Sequence, residues 1–137
     1  MKKRWLISLI IGIIMIMGGY LGYLQYGRDM DVHGSYAMTT DNYHEEHLTV
    51  LVNKLYVANQ KACAEEIGKR CRENSFQSVR FNFDLSIPNA LYVTVYASKR
   101  QAEKGKGMFS FSYLSEDRAE TYNIVSDSDK FMLKLEK

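Results

Sequence analysis

The chain has 137 residues, which is enough for one domain, and its formal net charge at pH 7 is +2. Three of its eighteen basic residues lie at the N-terminus, and the remaining fifteen are balanced by sixteen acidic residues. The extended basic face that marks a nucleic-acid-binding protein is therefore excluded, and we expect no nucleic-acid partner.

The first segment of the chain predicts a membrane anchor. Residues 2–4 are basic, and residues 5–26 carry no charged side chain. About 20 apolar residues span the hydrocarbon core of a bilayer, and flanking positive charge stays in the cytoplasm. We therefore expect a cytoplasmic flank at 1–4, a single uncleaved span at 5–26 in the cell membrane, and an extracytoplasmic remainder. A cleaved signal peptide is the alternative, although the bulky residues at 18–25 do not suit a cleavage site.

Small residues recur along the predicted span. Most of them share one helical stripe, and two form a GxxxG pattern, which allows two membrane helices to approach closely. This pattern makes a homodimer through the anchor a candidate. The candidate seam residues are Ser8, Gly12, Gly18, Gly19 and Gly22.

Residues 41–74 have a helical apolar period. Apolar side chains recur at steps of three and four, which predicts one long amphipathic helix that starts at Asp41 and stops at Asn74. A break near Asn59 or Gly68 is an open alternative. The polar residues before this helix predict a stalk at 27–40.

The apolar period changes to two after the predicted helix. Alternation predicts strands near 79–87, 91–97, 109–113 and 131–135. Short connections favour antiparallel pairing. The predicted fold is α+β: after the N-terminal transmembrane helix, a domain at 41–137 has the long amphipathic helix packed on a four- to five-stranded antiparallel meander sheet.

The two cysteines lie eight residues apart in the predicted helix. That spacing separates Cys63 and Cys71 by about 12 Å, beyond the limit of roughly 7 Å between the Cα atoms of a disulfide. Both lie four residues from Ile67, on the predicted core side. We expect buried free thiols, and an intermolecular disulfide or a bridge across a broken helix remains as the alternative.

A histidine cluster near the start of the predicted helix is a weak metal candidate. His44 and His47 are three residues apart, so the HExxH motif is not matched. With Asp41 they would share a helical face, and one carboxylate with two imidazoles is able to bind zinc. A metal-binding module or metal-dependent enzyme is therefore an alternative, beside the expectation of no metal and no cofactor.

Two surfaces are candidates for binding a partner. The first is the outer side of the second predicted strand, and the second is a basic loop suited to anionic headgroups or an anionic polymer. Cross-strand packing and simple solvation are the alternative explanations. The strand residues are Tyr92, Thr94 and Tyr96, and the loop residues are Lys99, Arg100, Lys104 and Lys106.

The sequence predicts a binding protein and no enzyme. Serine occurs in no GxSxG motif, and no histidine follows the strands to act as a base. We expect a single-span protein whose extracytoplasmic domain binds or scaffolds other components of the cell envelope, including a protein partner.

A membrane helix, a further helix and an antiparallel sheet, in that order, resemble the layout of type IV pilins and pseudopilins. This resemblance implies a pilin-like or secretion-apparatus subunit as a second alternative. It rests on element order, because the chain lacks both the glycine-phenylalanine processing site and an early glutamate in the apolar run.

Overall fold

The computed structural model describes residues 2–40, 43–76, 87–115 and 122–136. An N-terminal helix is followed by two strands and then by helices and strands in alternation, so the predicted α+β class is confirmed. The elements are α1 (Lys2–Tyr26), β1 (Asp31–Thr40), β2 (Tyr43–Leu51), α2 (Gln60–Glu73), β3 (Ala90–Tyr96), α3 (Lys99–Glu103), β4 (Phe109–Ser115), a 3-10 helix (Ser128–Lys130) and β5 (Phe131–Glu136).

The helix α1 is long and apolar enough to cross a membrane. It has 25 residues, and its most apolar window is not buried against the rest of the described chain. A signal sequence near the N-terminus would have the same properties. Within the described ranges, no other helix meets this criterion.

In the described residues, five strands form one mixed sheet in the order β1-β2-β3-β4-β5. Three of the neighbouring pairs are antiparallel, and β2 and β3 are parallel. The predicted antiparallel meander is therefore wrong at this central pair. A parallel pair needs a long crossover, and the connection between β2 and β3 supplies one that contains α2.

The long helix predicted for residues 41–74 is also wrong. Residues 43–51 form β2, and residues 31–40, within the predicted stalk, form β1. Alternation is present in β2, where Leu48 and Val50 are buried, but the apolar residues that follow also fit a helical stripe. The β-branched and aromatic side chains of both segments favour strands, and cross-strand pairing adds to that preference.

The helix that does form is α2, and both of its ends are capped by asparagine. The Asn59 side chain accepts a hydrogen bond from the backbone N–H of Ala62 at 3.0 Å. Asn74 adopts a left-handed conformation with φ 54°, and the next N–H bonds back to the carbonyl of Arg70. The predicted stop at Asn74 is confirmed, whereas the helix starts at the alternative break near Asn59 and not at Asp41.

The strands β1 and β2 also remove the basis of the pilin resemblance. That resemblance needed a membrane helix followed directly by a second helix. In the structure β1 and β2 lie between α1 and α2, so the element order is different.

One face of the sheet packs on α2 and forms the core. The buried helix residues Ala64, Ile67 and Cys71 belong to one core cluster with apolar side chains from all five strands. The core strand residues are Val32, Leu48, Val50, Leu91, Val93, Val95, Phe109, Phe111, Tyr113 and Phe131. The predicted strands at 91–97, 109–113 and 131–135 correspond to β3, β4 and β5, and the strand predicted at 79–87 falls almost wholly outside the described residues.

Replacing the central core residue of α2 tests this packing. Ile67 is fully buried, so Ile67→Ala should lower the free energy of unfolding by about 2–5 kcal/mol through lost burial and an unfilled cavity. Urea denaturation of the full chain in detergent micelles, followed by circular dichroism, measures this loss. Glu65→Ala, an exposed change on the same helix, should stay within about 0.5 kcal/mol of the parent. Equal losses in the two variants would contradict the placement of α2.

Candidate binding surface

The sheet has a second face, opposite α2, which we call the outer face. In β3, Leu91, Val93 and Val95 point into the core, so Tyr92 and Thr94 project from the outer face. Tyr96 lies on the same side at the end of the strand. The structure thus places all three predicted strand residues on one surface, and their role in binding stays a prediction.

An aromatic row crosses three strands of the outer face. Tyr36 pairs with His47, and His47 pairs with Tyr92, in the register of the sheet. The ring centroids are 4.6 Å and 4.8 Å apart, with interplanar angles of 4° and 12°. Neighbouring strands are about 4.8 Å apart, so in-register rings stack face to face. Tyr36 is 61% exposed on the edge strand β1, which leaves this end of the row accessible.

Beside the aromatic row lies a trough of small residues. Gly34, Thr49, Thr94 and Ser110 follow one another in register across β1 to β4. The short side chains extend less far from the sheet than the aromatic rings do. A depression of about 310 Å³ therefore forms along the aromatic row, with Glu136 at the β5 end. Hydroxyl groups line its floor, and one wall is aromatic, so it offers both hydrogen bonds and apolar contact.

The histidines do not share a face as the metal-site alternative required. On a strand, residues three apart point to opposite faces, so His44 lies on the core side and His47 on the outer face. The His44 Nε2 atom is 2.9 Å from Glu46, and the His47 Nε2 atom is 3.4 Å from Glu45. Asp41 lies outside the described residues. Within those that are described, no three His, Cys, Asp or Glu side chains are grouped to hold a metal ion.

The basic loop contains a short helix. Ser98 caps α3 by accepting from the backbone N–H of Gln101 at 3.4 Å. The four basic residues that were predicted to bind a partner are exposed, and they lie in α3 or in the turn that follows it. We call this group the basic tip. It consists of Lys99, Arg100, Lys104 and Lys106.

The predicted dimer seam lies along α1. Apart from the backbone of α1 itself, no described atom lies within 4 Å of the position that a Cβ atom would occupy at the seam glycines, so nothing in the described chain packs against them. A homodimer through Ser8, Gly12, Gly18, Gly19 and Gly22 therefore stays a prediction.

The end of α1 is held to the domain by a set of polar contacts that we call the anchor joint. The buried Gln25 side chain accepts from the backbone N–H groups of Leu55 and Tyr56 at 2.8 Å and 3.1 Å. Its Nε2 donates to the Tyr56 carbonyl at 2.8 Å. Lys54 Nζ donates to the Gln25 carbonyl at 3.1 Å and lies 5.4 Å from the Tyr26 ring centroid.

An ion pair extends the anchor joint. Arg70 of α2 lies 2.7 Å from the Asp29 carboxylate, and the hydrogen bond from Arg70 lowers the pKa of Asp29 below its usual value. The stabilisation from this pair is therefore complete above the usual pKa of aspartate and is lost as pH falls through the lowered pKa. Sequence patterns missed the joint, because its hydrogen-bonded partners are between 29 and 41 residues apart along the chain.

The two cysteines are free, and they differ in burial. Cys71 is buried in the core beside Ile67, as predicted, whereas Cys63 is half-buried at the edge of the helix. Burial raises the pKa of Cys71 to about 12 and also raises the pKa of Cys63. Both thiols are therefore less nucleophilic than a solvated cysteine, and Cys71 is the less reactive of the two.

Sequence analysis also missed Tyr36, and it considered His47 as a metal ligand and not as part of an aromatic row. A signal for them exists: Asp41 and Asn42 are turn-forming residues between two runs rich in tyrosine and threonine. A hairpin at that point pairs Thr40 with Tyr43 and therefore Tyr36 with His47, which is the register observed.

Comparisons with protein-family models, with curated proteins and with solved structures found no match for this chain.

The anchor joint predicts a local effect of changing Gln25. In Gln25→Ala, the N–H groups of Leu55 and Tyr56 lose their acceptor, and the local free energy of opening should fall by about 1–3 kcal/mol. Amide hydrogen exchange of a peptide that covers these residues, in the full chain in micelles, measures the change. Gln60→Ala, at an exposed position that starts α2, is the matched control and should leave that peptide unchanged. Unaltered exchange in Gln25→Ala would rule out the joint.

The cysteines predict an order of labelling. At pH 8, N-ethylmaleimide should modify Cys63 first, and Cys71 should react only when the domain opens, because it is buried and its pKa is about 12. Mass spectrometry of tryptic peptides at successive times measures both rates. In denaturant the two rates should become similar. Faster labelling of Cys71 than of Cys63 in the folded chain would contradict the burial described here.

Proposed function

We propose that this chain is a single-span membrane protein whose extracytoplasmic domain binds another protein of the cell envelope through the outer face. The observation that carries the proposal is the stack of Tyr36, His47 and Tyr92 beside the trough, on the face opposite α2.

The anchor part of the proposal rests on α1. Its length and apolar composition suit a membrane span, and the basic flank at its N-terminus favours a cytoplasmic start under the positive-inside rule. The anchor joint argues against cleavage after Gln25. Such cleavage would leave the backbone N–H groups of Leu55 and Tyr56 without the Gln25 side-chain oxygen that accepts from them.

The partner part of the proposal rests on the chemistry of the outer face. Tyrosine is enriched at the centres of protein interfaces, because it combines a large apolar surface with a hydroxyl group. Tyr36 and Met38 project from β1 and are 61% and 53% exposed. As an edge strand, β1 also borders the outer face with backbone groups that a partner is able to pair with. A segment of a partner protein that binds beside β1 would contact apolar side chains, hydroxyl groups and backbone groups of the outer face.

Site-specific photo-crosslinking in the native membrane tests this proposal. A photoreactive amino acid at Thr94, in the trough, should capture a discrete partner, and one at Lys69, on the exposed side of α2, should not. Tyr36→Ala should reduce capture at Thr94 by about tenfold or more, which is typical of an aromatic residue at an interface centre. Tyr36 is largely exposed, so this change should not unfold the domain.

Tyr56→Ala provides the matched control, because Tyr56 is also an exposed tyrosine but lies at the anchor joint. It should leave capture unchanged. Equal capture at Thr94 and Lys69, or equal effects of the two tyrosine variants, would refute binding through the outer face.

A further inference from the structure

The four side chains of the basic tip are exposed at one end of the sheet. They carry four positive charges against one negative charge from Glu103 in the same segment. In the described chain, no salt bridge engages any of the four. Backbone hydrogen bonds close the segment: Lys106 N–H bonds to the Gln101 carbonyl at 3.0 Å, and Met108 N–H bonds to the Val95 carbonyl at 2.7 Å. The charges are therefore presented from a closed turn.

The parallel pairing of β2 and β3 determines where this tip lies. Both strands end on the same side, and Lys54 N–H, just beyond β2, bonds to the Ala97 carbonyl at 3.2 Å. Lys54 also contacts Gln25 and Tyr26 at the end of α1. Because α3 begins two residues after Ala97, the basic tip leaves the sheet at the end to which α1 is joined.

The charge at this end of the domain favours an anionic surface. Lys54 and Arg28 add positive charge near the end of α1. Arg70 pairs with both Asp29 and Glu66, whereas Asp31 and Glu136 oppose the attraction. Glu45 lies near the start of β2, toward the opposite end of the sheet. Basic side chains within a Debye length, about 10 Å, of anionic lipid are attracted to it.

We propose that the basic tip lies against the anionic phospholipid headgroups of the membrane that holds α1. This inference rests on the proposed anchoring by α1. The anchor brings the domain to the surface, and the tip then selects which end of the sheet faces the lipid. The aromatic row lies on the outer face of the sheet and not at the end that contacts lipid, so it stays available to a partner.

Amine footprinting of the full chain in vesicles tests the proposal. The protein is reconstituted into phosphatidylcholine vesicles and into vesicles of phosphatidylcholine mixed with phosphatidylglycerol, and a membrane-impermeant acetylating reagent is added. Acetylation of Lys99, Lys104 and Lys106 is compared by mass spectrometry with that of Lys130. This exposed lysine directly precedes β5, at the far end of the sheet. The tip-to-reference ratio should be about fivefold lower in the anionic vesicles, and high salt should restore it.

Paired variants separate the tip from general charge. Lys104→Gln/Lys106→Gln should return the acetylation of Lys99 toward its value in neutral vesicles. Lys61→Gln/Lys69→Gln removes two exposed lysines from α2 and should leave Lys99 protected. Equal ratios in the two kinds of vesicle, or protection by soluble polyphosphate but not by anionic vesicles, would overturn the proposal.

The anchoring is tested separately in the same preparation. Flotation with neutral phosphatidylcholine vesicles, at high salt, depends on α1 and not on the basic tip. A chain that floats but shows no headgroup-dependent protection refutes the tip alone. A chain that does not float refutes the anchor and, with it, the lipid contact.

Discussion

The parallel pairing of β2 with β3 is the constraint on which the rest of this structure depends. Two parallel neighbours cannot be joined by a tight turn, so the chain must cross from one end of the sheet to the other. That crossover carries α2 onto one face, where Ile67 and Cys71 complete the core. The connection between β2 and β3 therefore decides which face of the sheet is covered by α2 and which is the outer face.

The same pairing gathers the functional candidates. Because β2 and β3 run in the same direction, their ends meet beside the end of α1, which places the anchor joint and the basic tip together. Their in-register alignment also stacks His47 on Tyr92, and the β1 hairpin adds Tyr36. One surface that we propose for a protein partner and one that we propose for lipid are therefore oriented relative to each other by backbone hydrogen bonds.

The strands β3, β4 and β5 were predictable because each alternates apolar and polar residues over its length. The strand β2 was not, because Leu48, Leu51 and Val52 fit a helical stripe, although Leu48 and Val50 alternate as in a strand. The partner strand decides between helix and strand, because β1 pairs with β2 along its whole length. The local sequence pattern of β2 does not show that such a partner is present. The assumption that His44 and His47 share a face was wrong for the same reason.

The apolar run at the N-terminus, the caps of α2 and the class of the domain were determined by the sequence itself, because each depends on neighbours within a few residues. The direction of β3 beside β2, the stack around His47 and the burial of Gln25 were decided by the tertiary structure. Each of these depends on backbone groups brought together from about 30 or more residues away, or on a register that only the assembled sheet specifies. Residue periodicity reports which side of an element is buried, and the contacts between elements determine what that side meets.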